Sequence, residues 1–172
     1  MTNNELTNAV GELLASRSDD MSELDDFANR YAKAWCSQNP ESVAAFHAEN
    51  GSLSVNDGPP AVGRAAIAQE AQAFMTTFPD MIVTMDKVSR DPDGTKFHWT
   101  LTGTNTGPGG TGKCVRISGY ELWKIDNDGL IAESKGHFDA RSTIASSSTA
   151  SIASRYVLTM IPGFAHESHE PR

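Results

Sequence analysis

The sequence predicts an α+β fold, and two observations carry that prediction. The first half of the 172-residue chain shows helical periodicity in successive segments, whereas the second half changes to strand-like runs separated by Gly- and Pro-containing turns. Helices followed by consecutive hairpin-linked strands form a bent antiparallel sheet with the helices on one face, which is the α+β pattern rather than alternating βα units. The length is that of one domain with a sizeable core, and no internal repeat is visible.

Residues 5–15 carry Leu6, Val10, Leu13 and Leu14 at helical spacing, and the polar run SRSDD is expected to end this short helix. The next helix is clearer. Leu24, Phe27, Tyr31, Ala34 and Trp35 share one face, and Glu23, Asp25 and Asp26 sit in the first turn, where the helix dipole favours negative charge. The stretch NPESVAAFHAENG predicts a further helix, opened by Asn39 and Pro40 and closed near Asn50 and Gly51. SLSV reads as a short strand, followed by a rigid turn at Asp57, Gly58 and two prolines. RAAIAQEAQAFMTTF is a helix burying Ile67, Ala71, Phe74 and Met75 and ending before Pro79.

Four strand-like runs follow: MIVTMDKVSRD, TKFHWTLTGTN, KCVRISGYELWKI and GLIAESKGHFD, separated by DPDG, TGPGGTG and DNDG. Asp139 suits an N-cap for a helix starting at Ala140. The tail is rich in Ser, Ala and Thr, then apolar, then polar. The expected organisation is an N-terminal helical extension over 1–21, a core domain over 22–140 and a partly disordered appendage over 141–172.

The net charge of −8 argues against nucleic acid and against an anionic membrane surface, both of which call for a basic face. Cys36, in a helix, and Cys114, in a strand, form neither a disulfide framework nor a metal motif. The N-terminus lacks the features of a secretory signal, and no apolar run approaches the ~20 residues that span a bilayer, so a cytoplasmic location is expected. GPGGTG connects two strands and is no nucleotide loop, and the histidines lack metal-ligand spacing. Neither a cofactor nor a metal is expected.

The order of elements, with ENGSLSVNDGPPAVGRAAI between two helices and ISGYELWKIDNDGLIAESKGHFD at the end, resembles the SnoaL-like polyketide cyclase branch of the nuclear-transport-factor-2-like superfamily over roughly residues 22–140. The resemblance implies a cone, a curved sheet wrapped around helices and enclosing an apolar pocket, and a homodimer joined through the sheet. It also implies an acid/base aspartate three residues before the Asp that ends the last strand. With Asp139 at that terminal position, the acid/base place falls on Gly136. The Tyr and Asn of the related limonene-epoxide hydrolases fall on Leu53 and Val55, and their Arg and second Asp near Thr100 and Thr102. The carboxylate base of the steroid-isomerase relatives falls near Ser54.

Glu121 is the surviving candidate for acid/base chemistry. Alternation puts Val115, Ile117, Gly119, Glu121 and Trp123 on one mostly apolar strand face, where desolvation raises a carboxyl pKa toward a catalytic range. The plainer alternative is a Glu at the cone mouth, solvated or paired with Lys or Arg. His137 follows the vacant position and has a pKa suited to proton transfer, although alternation turns it outward when Gly136 points inward. His47, near the expected end of a helix, is a third candidate, and His98 alternates away from the core. Trp35, Phe74, Trp99, Ile117, Gly119, Trp123, Gly136 and Phe138 are the expected pocket lining, and the same aromatic residues would equally serve a core. Two readings stand at this level: a cyclase- or isomerase-like enzyme acting on a small hydrophobic carbonyl compound, and a non-catalytic hydrophobic-ligand-binding or dimerisation module.

Overall fold

The computed structural model describes residues 3–138. Asp139 and the appendage expected over 141–172 lie outside the described residues, as do the side chains of Leu6, Val10, Leu13 and Leu14.

Helix α1 runs without interruption from Asn3 to Cys36, so the break expected at SRSDD does not occur. Arg17, Ser18 and Asp20 are exposed there, and polar side chains in water leave the backbone ladder intact when no proline interrupts it. The expected buried face forms downstream, with Leu24, Ala28, Tyr31, Ala32 and Trp35 in the core. Cys36 closes the helix, and its Sγ accepts from the Val83 amide at 3.1 Å.

Helix α2 spans only Pro40–Ala44. Its start is as expected: the Asn39 side chain caps it by accepting from the Glu41 amide at 3.2 Å, with Pro40 in the first turn. Its end is not, because the chain turns at Ala45–Phe46 and enters strand β1 (His47–Val55). The Phe46 carbonyl and His47 are taken up by pairing with Ile131, and this non-local ladder overrides the helical preference of AAFHAE. Asn56 and Asp57 then turn the chain with φ of 47° and 61°, leading through Pro59 and Pro60 into a two-residue strand β2 (Ala61–Val62) that the sequence did not signal. Helix α3 (Arg64–Thr77) buries Ile67, Ala68, Ala71 and Met75 and stops before Pro79.

The remaining strands occur as expected: β3 (Ile82–Asp91), β4 (Gly94–Thr104), β5 (Cys114–Ile125) and β6 (Ile131–Phe138). One six-stranded sheet results, in the order β2-β1-β6-β5-β4-β3. The hairpin-linked pairs are antiparallel, but β1 runs parallel to β6. No turn joins these two strands. The α3-to-β5 portion of the chain lies between them, so their relative direction is set by that crossover. Register shifts within β3, within β1 and near the end of β5 help curve the sheet around the helices. The core fills the concave side, where Tyr31 of α1 meets the rings of Trp123, Phe97 and Phe46 edge-on at centroid distances of 5.1–5.5 Å.

Candidate functional site

The site grows from the alternation of β5. Val115, Ile117, Glu121 and Trp123 are buried on the concave face, and Glu121 is only 6% exposed. The Glu121 carboxylate is held by donors from three elements. Its Oε2 accepts from the Tyr31 hydroxyl of α1 at 3.1 Å, from Trp123 Nε1 on β5 at 2.8 Å and from the Ser134 hydroxyl of β6 at 2.6 Å. No cation is paired with it among the described residues. The solvated or ion-paired alternative is therefore not what the fold adopts.

Burial raises the Glu121 pKa above its ordinary 4.5, while the bonds from Ser134, Trp123 and Tyr31 pull it back. The net direction is upward, because desolvation is the larger effect. Burial, followed by the neighbouring Glu121 charge, drives the Tyr31 phenol well above 10, so it remains a neutral donor.

A cavity opens beside this carboxyl, lined by Trp35, Leu53, Val55, Phe74, Val83, Phe97, Trp99, Leu101, Glu121, Gly136 and Phe138. Together with the open solvent at its mouth, its space amounts to about 490 Å³. Glu121 is the one ionisable residue among its described walls. Since Oε2 is occupied by three donors and Oε1 accepts none of these bonds, Oε1 is the carboxyl atom left for the cavity.

Among the sequence-predicted residues, Glu121, Trp35, Phe74, Trp99, Gly136 and Phe138 meet at the cavity. Ile117, Gly119 and Trp123 lie on the same face but are not part of its wall. Ile117 and Trp123 are sealed in the core, and Gly119 is covered by the Trp99 ring, whose Cζ2 lies only 2.9 Å from where a Cβ on Gly119 would sit.

Neither candidate histidine reaches the cavity. His137 projects from the outer face, its ring 5.0 Å from that of Tyr120, and His98 meets the other side of Tyr120 at 5.8 Å. His47 opens β1 instead of ending a helix and is fully buried. Its Nδ1 faces the Val43 carbonyl at 3.3 Å, and its Nε2 has no hydrogen-bond partner among the described residues. Burial, chiefly, lowers its pKa from 6.5 to about 4, which keeps the ring neutral.

Gly136 pairs with Glu121 across the β5–β6 ladder and takes no left-handed conformation. Leu53 and Val55 face the cavity, as do Trp99 and Leu101 from β4. Thr100 instead belongs to the outer side, bonded to Asp86 at 2.7 Å and Ser118 at 2.8 Å. With Phe97, all five residues that β1 and β4 contribute to the wall are thus apolar. The sequence reading did not connect Tyr31 with Glu121. Its position on the buried face of α1 was the available signal, while the bond itself joins residues 90 apart.

The profile of the SnoaL-like domain family matches residues 28–134. Among curated proteins no match is found. Solved structures with the same fold include a protein with a ketosteroid isomerase-like fold from Catenulispora acidiphila, in complex with trimethylamine, at 18% identity and a TM-score of 0.60, covering 67% of this chain and 87% of that one. The epoxide hydrolase/cyclase-like enzyme SalBIII, which acts in pyran ring formation in the polyether salinomycin, has 14% identity and a TM-score of 0.62, covering 72% and 96%. A protein from Jannaschia sp. CCS1 assigned as a SnoaL-like polyketide cyclase has 18% identity and a TM-score of 0.53, covering 58% and 72%. These likenesses establish a shared fold. No described helix is long and apolar enough to cross a membrane.

Proposed function

The chain belongs to the SnoaL-like domain family, and from that premise we propose that it transfers a proton on a small hydrophobic carbonyl compound held in the cavity beside Glu121. One observation carries the reading: a buried carboxyl with one oxygen fixed by three donors and the other left for an otherwise apolar cavity. As the carboxylate, Oε1 takes the proton from the carbon next to the carbonyl. As the acid, it returns that proton to a different carbon in an isomerisation, or to the oxygen of a newly closed aldol ring in a cyclisation. The raised pKa brings the two forms closer in energy near neutral pH than they are for an exposed Glu. The roles considered for His137 and His47 find no support in their positions, away from the cavity.

The trimethylamine complex and the cyclase-like enzyme among the structural neighbours support a small-molecule cavity, while the reaction class rests on analogy. A second reading, a binding module without catalysis, is favoured by Gly136, which lacks the side chain expected there, and by the apolar character of the remaining wall. We also read the chain as a cytoplasmic homodimer joined through the sheet, its core over 22–140, with no nucleic-acid partner. Light scattering tests the dimer, and a monomer would remove it.

Exchange of α-protons of small cyclic ketones in deuterated buffer, followed by proton NMR, separates the two functional readings. Exchange above the buffer rate that falls about 100-fold or more in Glu121→Gln supports catalysis. Exchange no faster than buffer, with ketone still bound, supports the binding module.

A further inference from the structure

Five aromatic rings and one carboxyl share the cavity wall. Trp35, Phe74, Phe97, Trp99 and Phe138 line it together with Glu121, and the other described wall residues are aliphatic or glycine. Rings present the negative face of their quadrupole to whatever lies over them, and this favours a cation. The carboxylate adds a full negative charge. Nothing in the described protein answers that charge with a positive one, because the three groups touching Glu121 are the neutral donors Tyr31, Trp123 and Ser134. An uncompensated buried carboxylate is costly, and a bound cation removes that cost.

We propose that the cavity also receives a compact protonated alkylamine, its ammonium N–H donating to Glu121 Oε1 and its alkyl groups packing on the surrounding rings. This inference rests on the reading of the cavity as a ligand site centred on Glu121, and it does not require turnover. Both ligand classes use the same atom. A protonated Oε1 donates to a carbonyl oxygen, whereas an ionised Oε1 accepts from an ammonium. Such an amine therefore competes with a carbonyl ligand and selects the ionised form. Tyr31 is the one other titratable side chain bonded to Glu121 among the described residues, and it stays neutral as the donor already assigned to Oε2.

Geometry also limits the ligand. Oε2 is already saturated by three donors, which leaves one strong acceptor, so a monoamine fits and a second ammonium would find no partner among the described wall residues. The aliphatic and aromatic wall favours methyl or ethyl substituents over hydroxylated ones.

Calorimetric titration of the full chain at mildly alkaline pH tests this with three probes: trimethylammonium, tetramethylammonium, which has no N–H, and tert-butanol, a neutral compound of similar shape. Trimethylammonium should bind about tenfold or more tightly than tert-butanol, with tetramethylammonium in between. Glu121→Gln, folded by circular dichroism, should lose about tenfold or more of the trimethylammonium affinity and keep that for tert-butanol. Trp99→Leu should weaken both cations more than the alcohol, and it serves as the test if the first variant does not fold. Equal affinity for trimethylammonium and tert-butanol, or undiminished amine binding by Glu121→Gln, overturns the amine while leaving the cavity a hydrophobic site. Binding of none of the three probes, nor of the small ketones, overturns both readings.

Discussion

Glu121 and Gly136 are direct partners across the β5–β6 ladder, and a Cβ added to Gly136 would lie 3.8 Å from Cγ of Glu121. Its nearest neighbour is the Ser54 carbonyl at 3.4 Å, an ordinary contact. Position 136 therefore has room for a side chain, and it adjoins a carboxyl supplied by the neighbouring strand.

Gly136→Asp should consequently fold. The new carboxyl shares a desolvated site with Glu121, so the two cannot both ionise cheaply, and the pair should titrate in two steps with the upper one well above an ordinary Asp or Glu. We expect a loss of roughly 1–3 kcal/mol of stability near neutral pH, shrinking as the pH is lowered and the pair takes up protons. Carbon-detected NMR of the carboxyl groups gives the titration. A new carboxyl with the pKa of an exposed Asp would show that position 136 does not face Glu121.

Gly119→Ala is the contrasting case on the adjacent strand. An added methyl there would run into the His137 carbonyl, would stand 2.8 Å from Phe138 Cβ and 2.9 Å from the Trp99 ring, and has backbone on one side that cannot yield. A loss of about 1–3 kcal/mol or more is expected in chemical denaturation. An unchanged midpoint would mean that the Trp99 ring does not rest on Gly119.

Glu121 should make the folded chain less stable as it ionises. Its pKa is raised in the folded state, so its favourable contribution is complete below the unfolded value near 4.5 and is lost as pH rises through the raised value. Glu121→Gln keeps an acceptor for the three donors and removes this loss. Thermal melts across the pH range should show the variant gaining on the wild type from acid toward neutral pH. A difference independent of pH would contradict the buried, cation-free environment.

His47 acts in the opposite direction. Its pKa is depressed to about 4, so the stability it contributes is complete above its ordinary 6.5 and is lost as pH falls toward about 4. The full span amounts to about 3 kcal/mol for a group shifted this far. His47→Leu should flatten the acid limb of the stability profile over that range. An acid limb as steep as in the wild type would assign the acid sensitivity to other groups.

Several features were legible in the sequence because they are local. Period-two alternation identified β3 to β6 and placed Glu121 inward and His137 outward, since a strand side chain's face depends only on its neighbours in the chain. Period 3.6 found α3 and the buried face of α1 at Leu24, Tyr31 and Trp35. Asn39 and Pro40 marked the start of α2, because capping is satisfied within one turn.

What the sequence left open depended on partners far away in the chain. Residues 45–50 have a helical composition, yet 45–46 turn and 47–50 join β1 because Phe46 and His47 meet Ile131, and β1 lies parallel to β6 because a crossover, and no hairpin, sets its direction. The SRSDD segment stays helical, with Arg17, Ser18 and Asp20 in water, and Asp20 also meets Arg90 of β3 at 2.7 Å. The nature of the site was decided in the same way. Alternation by itself shows an inward carboxyl. Packing α1 and β6 against β5 brings Tyr31 and Ser134 onto one of its oxygens, seats His47 in the core away from the cavity, and leaves the other oxygen free of these bonds in a wall shared with aromatic rings from four different elements. Local periodicity specifies the face of a side chain, whereas its partners, and with them its charge state and chemistry, arise only when distant segments are packed together.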